Sequence, residues 1–425
     1  MTTPEEVLPP DVIGRLSEIG LADIVIGIPS YQNASTIGHV VRAAQTGLAK
    51  YFPSAHAVIL NSDGGSTDGT RDIVAGTTGP DTALVLVSNP VRPAHRFTIP
   101  YHGLPGKGSA FRAIFRAAEM LEARACAVVD SDLRSITPEW IHLLVAPVIN
   151  GDSDYVAPYY LRHKFDGTIT NNVVYPLTRA LYGKRIRQPI GGDFGMSLPL
   201  VRHYLRQPVW DTDVARFGID IWMTTEAVCG DFRITQAFLG AKLHNAKDPA
   251  ADLSAMLVQV LGTVFRLMDT HEARWQSVSA SEPVPIVGFQ YGVGLEPIRV
   301  DVQRMIDHFR RGVRDLSSVW RTMFNRDVMA RLREVGALDG HAFAIDDELW
   351  TRLVYDLAAA HHHRVSDREA LVRSTLPLYM GRVASFVTEM AEADAAGVEA
   401  RIEQSCLVFE QQKDHLKRRW ASDRR

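Results

Sequence analysis

Ile24-Val25-Ile26-Gly27-Ile28-Pro29-Ser30-Tyr31-Gln32-Asn33 is the stretch from which the fold can be read. Its first five residues are apolar or glycine, with no polar alternation. That is the pattern of a strand buried on both faces, and such strands belong to parallel sheets covered by helices. Pro29 ends the run, and Ile37, Val40, Val41 and Ala44 then recur at helical spacing. Outward from this stretch the unit repeats. Ala57-Val58-Ile59-Leu60 reads as a second strand, followed by Gly64, Gly65 and a helix start at Ser66-Thr67-Asp68. Ala83 to Val87 is a third strand, Gly108 to Leu121 a helix, and Ala125 to Val129 a fourth strand. Alternation of this kind predicts an α/β fold with a mostly parallel central sheet. Ligands of open parallel sheets bind beyond the carboxyl ends of the strands. The polar residues after the first, second and fourth strands are therefore expected to converge on one edge.

After about residue 250 the pattern turns helical: Leu253 to Met268, Val302 to Phe324, Asp347 to His361 and Ala384 to Trp420. The reading is a first domain over 1–250 and an α-helical C-terminal region over 251–425. The 425 residues are 46% hydrophobic and 22% charged, as in ordinary globular proteins, and the formal net charge of -3 gives no general pull toward nucleic acid or anionic membranes. Lys417-Arg418-Arg419 reads as a solvated helix end, and His361-His362-His363 as a polar helix cap rather than a metal site. Cys126, Cys229 and Cys406 are odd in number and widely spaced, which suits neither a disulfide framework nor a zinc cluster. Met1 to Glu6 lacks the basic start and apolar stretch of a signal peptide. No run approaches the roughly 18 apolar residues that span a bilayer. A cytoplasmic location is expected.

The fourth strand ends in Val128-Val129-Asp130-Ser131-Asp132-Leu133. Two acids at i and i+2 of an extended chain point the same way, and hard carboxylate oxygens suit Mg²⁺ or Mn²⁺ carrying diphosphate oxygens. Taken alone, Asp-x-Asp also fits a solvated turn. Its companions are Pro29-Ser30-Tyr31-Gln32-Asn33, Asn61-Ser62-Asp63-Gly64-Gly65-Ser66-Thr67-Asp68-Gly69-Thr70, and Leu104-Pro105-Gly106-Lys107-Gly108. The glycines permit close backbone approach, Lys107 can meet a phosphate, and Asp63 stands where a nucleobase or ribose could be bound.

In order and spacing these pieces resemble the nucleotide-binding half of family-two-like glycosyltransferases of the A-type fold. Gln188-Pro189-Ile190-Gly191-Gly192-Asp193, Phe217-Gly218-Ile219-Asp220 and Lys242-Leu243-His244 follow. The set is similar to the retaining transferases that build glycosylglycerates: mannosylglycerate synthase, glucosylglycerate synthase and glucosyl-phosphoglycerate synthase. The resemblance covers about residues 23 to 265. It implies that Asp132 and His244 are the protein ligands of the metal and that Asp130 assists at the ribose or metal. It further implies that Pro29, Tyr31, Asn33, Asp63 and Lys107 face the donor, that Ile190, Gly191 and Gly192 cradle its sugar, and that Asp193 meets the sugar hydroxyls. Asp220 matches a carboxylate near the reacting centre. Asp193 stands where the family usually has Glu, and Asn33 where it often has an acid.

On the acceptor side lies Arg162-His163-Lys164-Phe165-Asp166-Gly167-Thr168-Ile169-Thr170. Arg162, Asp166 and Thr170 match the four-residue steps with which mannosylglycerate synthase holds its acceptor; Arg offers a fork for a carboxylate, and Asp and Thr can bind hydroxyls. Thr168 occupies the place of an Arg that grips the acceptor phosphate in glucosyl-phosphoglycerate synthase. The resemblance thus implies metal-dependent, retaining transfer of glucose from a nucleoside diphosphate glucose to D-glycerate, by a plausible homodimer. Mannose from GDP-mannose and phosphoglycerate as acceptor are the near alternatives. A sugar-nucleotide pyrophosphorylase would show a Gly-rich, Arg-containing loop after the first strand, unlike Pro29-Ser30-Tyr31-Gln32. A non-catalytic nucleotide-sugar binder would not need Asp130, Asp132 and His244 together.

Overall fold

The computed structural model describes residues 7–77, 83–88, 106–212, 214, 218–243, 254–292, 298, 300–340 and 342–422. The chain forms two compact units. The first is Met1–Leu161, Ile186–Asn245 and Val284–Leu295; the second is Arg162–Arg185, Ala246–Pro283 and Glu296–Arg425. Residues 162–185, on which the acceptor motif falls, are thus part of the second unit.

In chain order the strands are β1 (Ile24–Ser30), β2 (Ala57–Asp63), β3 (Ala83–Ser88), β4 (Ala125–Val128), β5 (Tyr155–Leu161), β6 (Lys184–Arg185), β7 (Phe194–Ser197), β8 (Ile234–Ala241), β9 (Glu282–Pro283) and β10 (Ile286–Val287). Eight of them make the sheet of the first unit, in the order β10-β8-β5-β7-β4-β1-β2-β3. Only β7 breaks the parallel arrangement, running antiparallel to both β4 and β5. The expected strands are all present. β1 and β2 run on past their apolar cores to Ser30 and Asp63, because these polar ends bond one another inside the protein: Ser30 Oγ donates to Asp63 Oδ1 at 2.9 Å, and Asn61 Nδ2 to the Ile28 carbonyl at 2.9 Å.

All seven residues of β1 are buried, as the unbroken apolar run requires. One face packs on Val40, Val41 and Ala44 of the helix Ile37–Tyr51 and near Trp140, Ile141 and Leu144 of the helix Pro138–Ile149. Each large aliphatic or aromatic side chain so enclosed contributes about 1.5–3 kcal/mol. The other face meets the helix Lys107–Met120 at Gly27, where a Cβ would lie 2.4 Å from Ile114 Cγ2. That close approach fixes the helix whose first residue is Lys107 over the carboxyl end of the sheet.

The second unit is helical apart from the short pairing of β6 with β9. The region expected as one helix from Val302 to Phe324 breaks after Asp315 and restarts at Ser317–Trp320, and a further helix, Arg326–Ala337, follows, capped by Asn325 accepting from Val328 N at 2.9 Å. Ala384 to Trp420 is likewise three helices, Leu376–Glu389, Ala395–Gln411 and Lys413–Ala421. The first run ends at Glu389, and Asp394 opens the next by accepting from Gly397 N at 2.8 Å as its N-cap. The histidine triplet does close a helix, Asp347–His362, and His362 stacks on Trp420 with ring centroids 4.0 Å apart. The basic run is not wholly solvated: Arg419 Nε donates to the buried Asp356 at 2.7 Å. No helix among the described residues is long and apolar enough to cross a membrane.

Candidate active site

The loops that leave β1 and β2 are laced together by short polar side chains. Asp63 is 1% exposed and accepts from Gly65 N at 3.0 Å, Ser66 N at 2.8 Å and Ser66 Oγ at 2.6 Å besides Ser30. Gln32, with a positive φ of 56°, gives its N–H to Ser66 Oγ at 2.8 Å, and Asn33 N donates to Thr70 Oγ1 at 2.9 Å. Asn33 Oδ1 in turn accepts from Tyr31 N at 2.9 Å and Ser131 Oγ at 2.8 Å. Asn33 therefore ties the β1 loop to the Asp130-Ser131-Asp132 turn, which an acid there would do less well beside two further carboxylates. Pro29 is buried within β1, paired in register with Ser62, and Tyr31 is half-exposed.

At the end of β4 both oxygens of Asp130 are taken by ammonium groups. Lys107 Nζ lies 3.0 Å from Oδ1 and Lys242 Nζ 2.8 Å from Oδ2. Lys107 also reaches Asp220 Oδ2 at 3.1 Å, from the first turn of the helix Ile219–Cys229. Lys242 completes its donors on Asp193 Oδ2 at 2.8 Å and the Gly191 carbonyl at 2.7 Å. Asp193 is fully enclosed: it accepts from Asp130 N at 2.8 Å through Oδ1 and from the Tyr160 hydroxyl through Oδ2. Tyr160 is aimed there by an irregularity in the β5–β8 pairing, where the register skips between Tyr159 and Tyr160. Gly192 has φ 91°, and a Cβ on it would lie 2.2 Å from Asp130 Oδ2; only glycine permits this approach. Of the loop that carries it, Ile190 is half-exposed, while Pro189 is anchored through its carbonyl by Thr224 Oγ1 at 2.7 Å.

Three carboxylates and two ammoniums in one cluster, Asp193 and Lys242 buried and the others partly so, titrate unequally. Burial alone would raise Asp130, but Lys107 and Lys242 outweigh it and hold this carboxyl well below its usual range. Burial would likewise lower Lys107, and Asp130 and Asp220 reverse that, keeping it a firm cation. For Asp193 and Asp220 burial prevails, helped by the charge on Asp130, and both are pushed up. Asp220 also has one buried oxygen, Oδ1, without a hydrogen-bond partner. It is thus the acid of the cluster that can carry a proton or accept a donor.

Asp132 differs from its neighbour two residues before. It is half-exposed, and its carboxylate has no partner among the described residues. The turn that carries it is pinned to the end of β8 and beyond, with Arg134 N donating to the Leu243 carbonyl at 2.9 Å and Leu243 N to Ser135 Oγ at 2.9 Å. His244, the next residue, lies outside the described residues. The half-exposed carboxylate of Asp132 is of the hard-oxygen type that suits Mg²⁺ or Mn²⁺.

The acceptor motif, in the second unit, is partly open and partly enclosed. Arg162 and Asp166 form an ion pair at 3.4 Å, both sparsely exposed. Thr168 is 0% exposed and its Oγ1 is bonded to the Tyr379 hydroxyl at 2.7 Å. Thr170, also buried, opens a π-helical turn over Thr170–Val174. Lys164 Nζ donates to the carbonyls of Ala391 at 2.6 Å and Ala393 at 3.0 Å.

The sequence reading gives no role to Lys242, Tyr160 or Tyr379. For Lys242 a signal exists: a lysine directly after the apolar strand β8 must find an acid or leave the core, and it stands at i and i+2 with His244. Nothing local marks the two tyrosines.

The first unit is thus a mostly parallel sheet with helices on its faces and an Asp-x-Asp turn beyond β4, the α/β arrangement that the sequence leads one to expect. The relatives fall in the group that the motifs single out. The chain is 25% identical over 261 residues to the glucosyl-3-phosphoglycerate synthase of Mycolicibacterium paratuberculosis, spanning 57% of this chain and 71% of that protein. It is 26% identical over 222 residues to the protein of the same name from Mycobacterium tuberculosis, spanning 48% of this chain and 61% of that one. A crystal structure of the latter enzyme with Mg²⁺ and uridine diphosphate aligns at 24% identity and a TM-score of 0.43, over 60% of this chain and 83% of that one. No protein-family model matches.

Proposed function

We propose that this protein is a metal-dependent, retaining hexosyltransferase that moves glucose from a nucleoside diphosphate glucose to free D-glycerate. Two curated relatives with glucosyl-phosphoglycerate synthase activity in their names support glucose and a glycerate-type acceptor. The observation that carries the choice of the unphosphorylated acid is Thr168. At the place of the phosphate-gripping Arg stands a neutral, enclosed side chain bonded to Tyr379, and Lys164, a cation of the same motif, is engaged on two carbonyls. A neutral hydroxyl cannot replace a bidentate guanidinium on a dianion.

Asp132 and His244 would hold the divalent ion. When bound, it supplies Lewis-acid stabilisation of the departing diphosphate. Lys107, kept cationic by its two carboxylates, offers further positive charge to the phosphates. Asp220, with its free oxygen, would stabilise positive charge growing on the sugar ring. Arg162 would take the acceptor carboxylate, while Asp166 and Thr170 hold hydroxyls, so that positioning lowers the barrier. The leaving diphosphate would take the acceptor proton on the same face of the sugar, since Asp130, Asp193 and Asp220 are each already bonded to a lysine.

The test is a matrix of UDP-glucose, GDP-glucose and GDP-mannose against D-glycerate, 3-phosphoglycerate, lactate and glycerol, read by mass spectrometry with competition kinetics. Glucosylglycerate formed in preference to its phosphorylated counterpart supports the reading. A clear preference for 3-phosphoglycerate would show that a phosphate site exists elsewhere than at Thr168.

A further inference from the structure

We propose that Asn172, Tyr379 and Arg382 are positioning residues for the acceptor-binding segment, so that side chains that do not touch the acceptor set its affinity. The inference rests on the functional reading above. The segment 162–174 leaves β5 and turns into the second unit. At Thr170 it forms a π-helical turn, closed by Tyr175 N donating to the Thr170 carbonyl. Such turns hold one residue more than an α-helical turn and are kept only where the surroundings support them.

The support comes from one helix, Leu376–Glu389, and what lies behind it. Asn172 is 1% exposed and every polar group on its side chain is used: Nδ2 donates to the Thr168 carbonyl at 3.1 Å and Oδ1 accepts from Arg382 Nε at 3.2 Å. Its backbone carbonyl accepts from Trp350 Nε1 at 2.7 Å. Arg382, itself 1% exposed, cannot drift from this contact. Its other nitrogens donate to the Ile345 carbonyl at 2.9 Å and Asp347 Oδ1 at 2.6 Å, and Arg401 holds Asp347 from the far side at 2.8 Å. One turn before Arg382, Tyr379 meets Thr168 Oγ1. The helix thus grips Thr168 and Asn172, the residues two places to either side of Thr170.

Stability alone does not explain these choices. Phe at 379 and an aliphatic residue at 382 would fill the same space without the desolvation of a guanidinium, and buried ion pairs of this type commonly give way to apolar packing at no loss of stability. What polar bonds add is direction: a satisfied buried network admits one arrangement. Here it fixes the turn on which Thr170 sits and, through Asn171 Nδ2 on the Asp166 carbonyl at 3.4 Å, the stretch that carries Asp166. A displacement of about 1 Å in such a frame is enough to cost up to about a hundredfold in rate.

Steady-state kinetics of the full chain test this, using the donor and acceptor that the wild type prefers. Tyr379→Phe should raise the acceptor KM about tenfold, within the range such misplacement allows. The donor KM should stay as in the wild type, and the melting temperature should fall only by the few degrees that one lost buried hydrogen bond costs. Thr168→Val removes the same bond from the other side and should reproduce the effect, and the double variant should be no worse than either alone, as for two halves of one interaction. An unchanged acceptor KM in Tyr379→Phe, or donor and acceptor constants moving together, overturns the inference. Thr168→Val more damaging than Tyr379→Phe and additive with it would also do so, by showing that Thr168 touches the acceptor directly. A wild type that glucosylates neither glycerate nor phosphoglycerate overturns the functional reading and this inference with it, whereas an active wild type with an indifferent Tyr379→Phe overturns the inference alone.

Discussion

At Lys242 a side chain only 4% exposed neutralises two carboxylates at once. Lys242→Met would leave Asp130 with Lys107 alone and Asp193 with no cation, and removing one side of a buried pair costs about 3–5 kcal/mol. The loss should depend on pH in a definite direction. Asp130 is held below its ordinary value against the effect of burial, by Lys107 and Lys242. A depressed carboxylate gives stability that is present above the unfolded pKa of about 3.9 and is lost as pH falls toward the folded value. In the variant that depression shrinks, so the gap between wild type and Lys242→Met in urea should hold its full size from neutrality down to about pH 4 and narrow below it. A gap that stays constant with pH would mean that Lys242 acts by packing and not by charge. The residue level also shows where the sequence stops being informative. Asp130, Asp132 and Lys107 stand out because acids and a lysine beside glycines at strand ends have few other uses. The bonds from Lys242 and Tyr160 to Asp193 join β5, β8 and a loop, and no spacing in the chain announces them.

Helices of the second unit are fastened by a similar device at a larger scale. Arg179, fully buried in the helix Tyr175–Tyr182, donates to Glu403 through NH2 at 2.8 Å and to Glu410 through Nε at 2.7 Å, both on the helix Ala395–Gln411. The two ends of this bridge are unequal. Glu403 is 44% exposed and Glu410 19%, so each can turn to water, whereas Arg179 cannot. Arg179→Met should therefore cost only about 1–2 kcal/mol of urea stability, the net worth of the hydrogen bonds lost. Glu403→Ala combined with Glu410→Ala strands a buried guanidinium and should cost about 3–5 kcal/mol. Equal losses, or the reverse order, would refute this account of the bridge. Elements of this kind are legible by their apolar period but not by their breaks. The expected run from Ala384 to Trp420 hides a restart at Asp394, because an aspartate among alanines reads equally as a surface position and as a cap. Two strands of the sheet escape the period: β7 has four residues and β10 two, too few for any alternation to show.

For the molecule as a whole, the alternation of the first 130 residues suffices to give the fold class, and the ordered motifs name the residues proposed for the donor half of the site. What the chain does not disclose in advance is that residues 162–185 leave the sheet unit for the helical one, since that depends on packing partners two hundred residues away. The same distinction between what a motif names and what the fold makes of it separates the two acids of Asp130-Ser131-Asp132. Asp130 is bonded on both oxygens to lysines, whereas Asp132 is half-exposed with no partner among the described residues. If Asp132 serves a divalent ion and Asp130 serves the protein, their amide variants should behave oppositely in a thermal melt. A ligand that binds only the folded state at a hundred times its Kd adds about 2.7 kcal/mol of stability. Wild type with Mn²⁺ and UDP or GDP should therefore melt higher than wild type alone, and excess chelator should remove most of the shift. Asp132→Asn and His244→Ala should keep the ligand-free melting temperature and lose the shift. Asp130→Asn should lower the ligand-free melting temperature itself, because Lys107 and Lys242 then face each other across a neutral amide. If Asp130→Asn melts like the wild type without ligand and abolishes the shift, Asp130 is a ligand of the metal or nucleotide and its lysine pairs are incidental. If Asp132→Asn leaves the Mn²⁺-dependent shift intact, the metal is held by other groups and the proposed leaving-group chemistry loses its anchor.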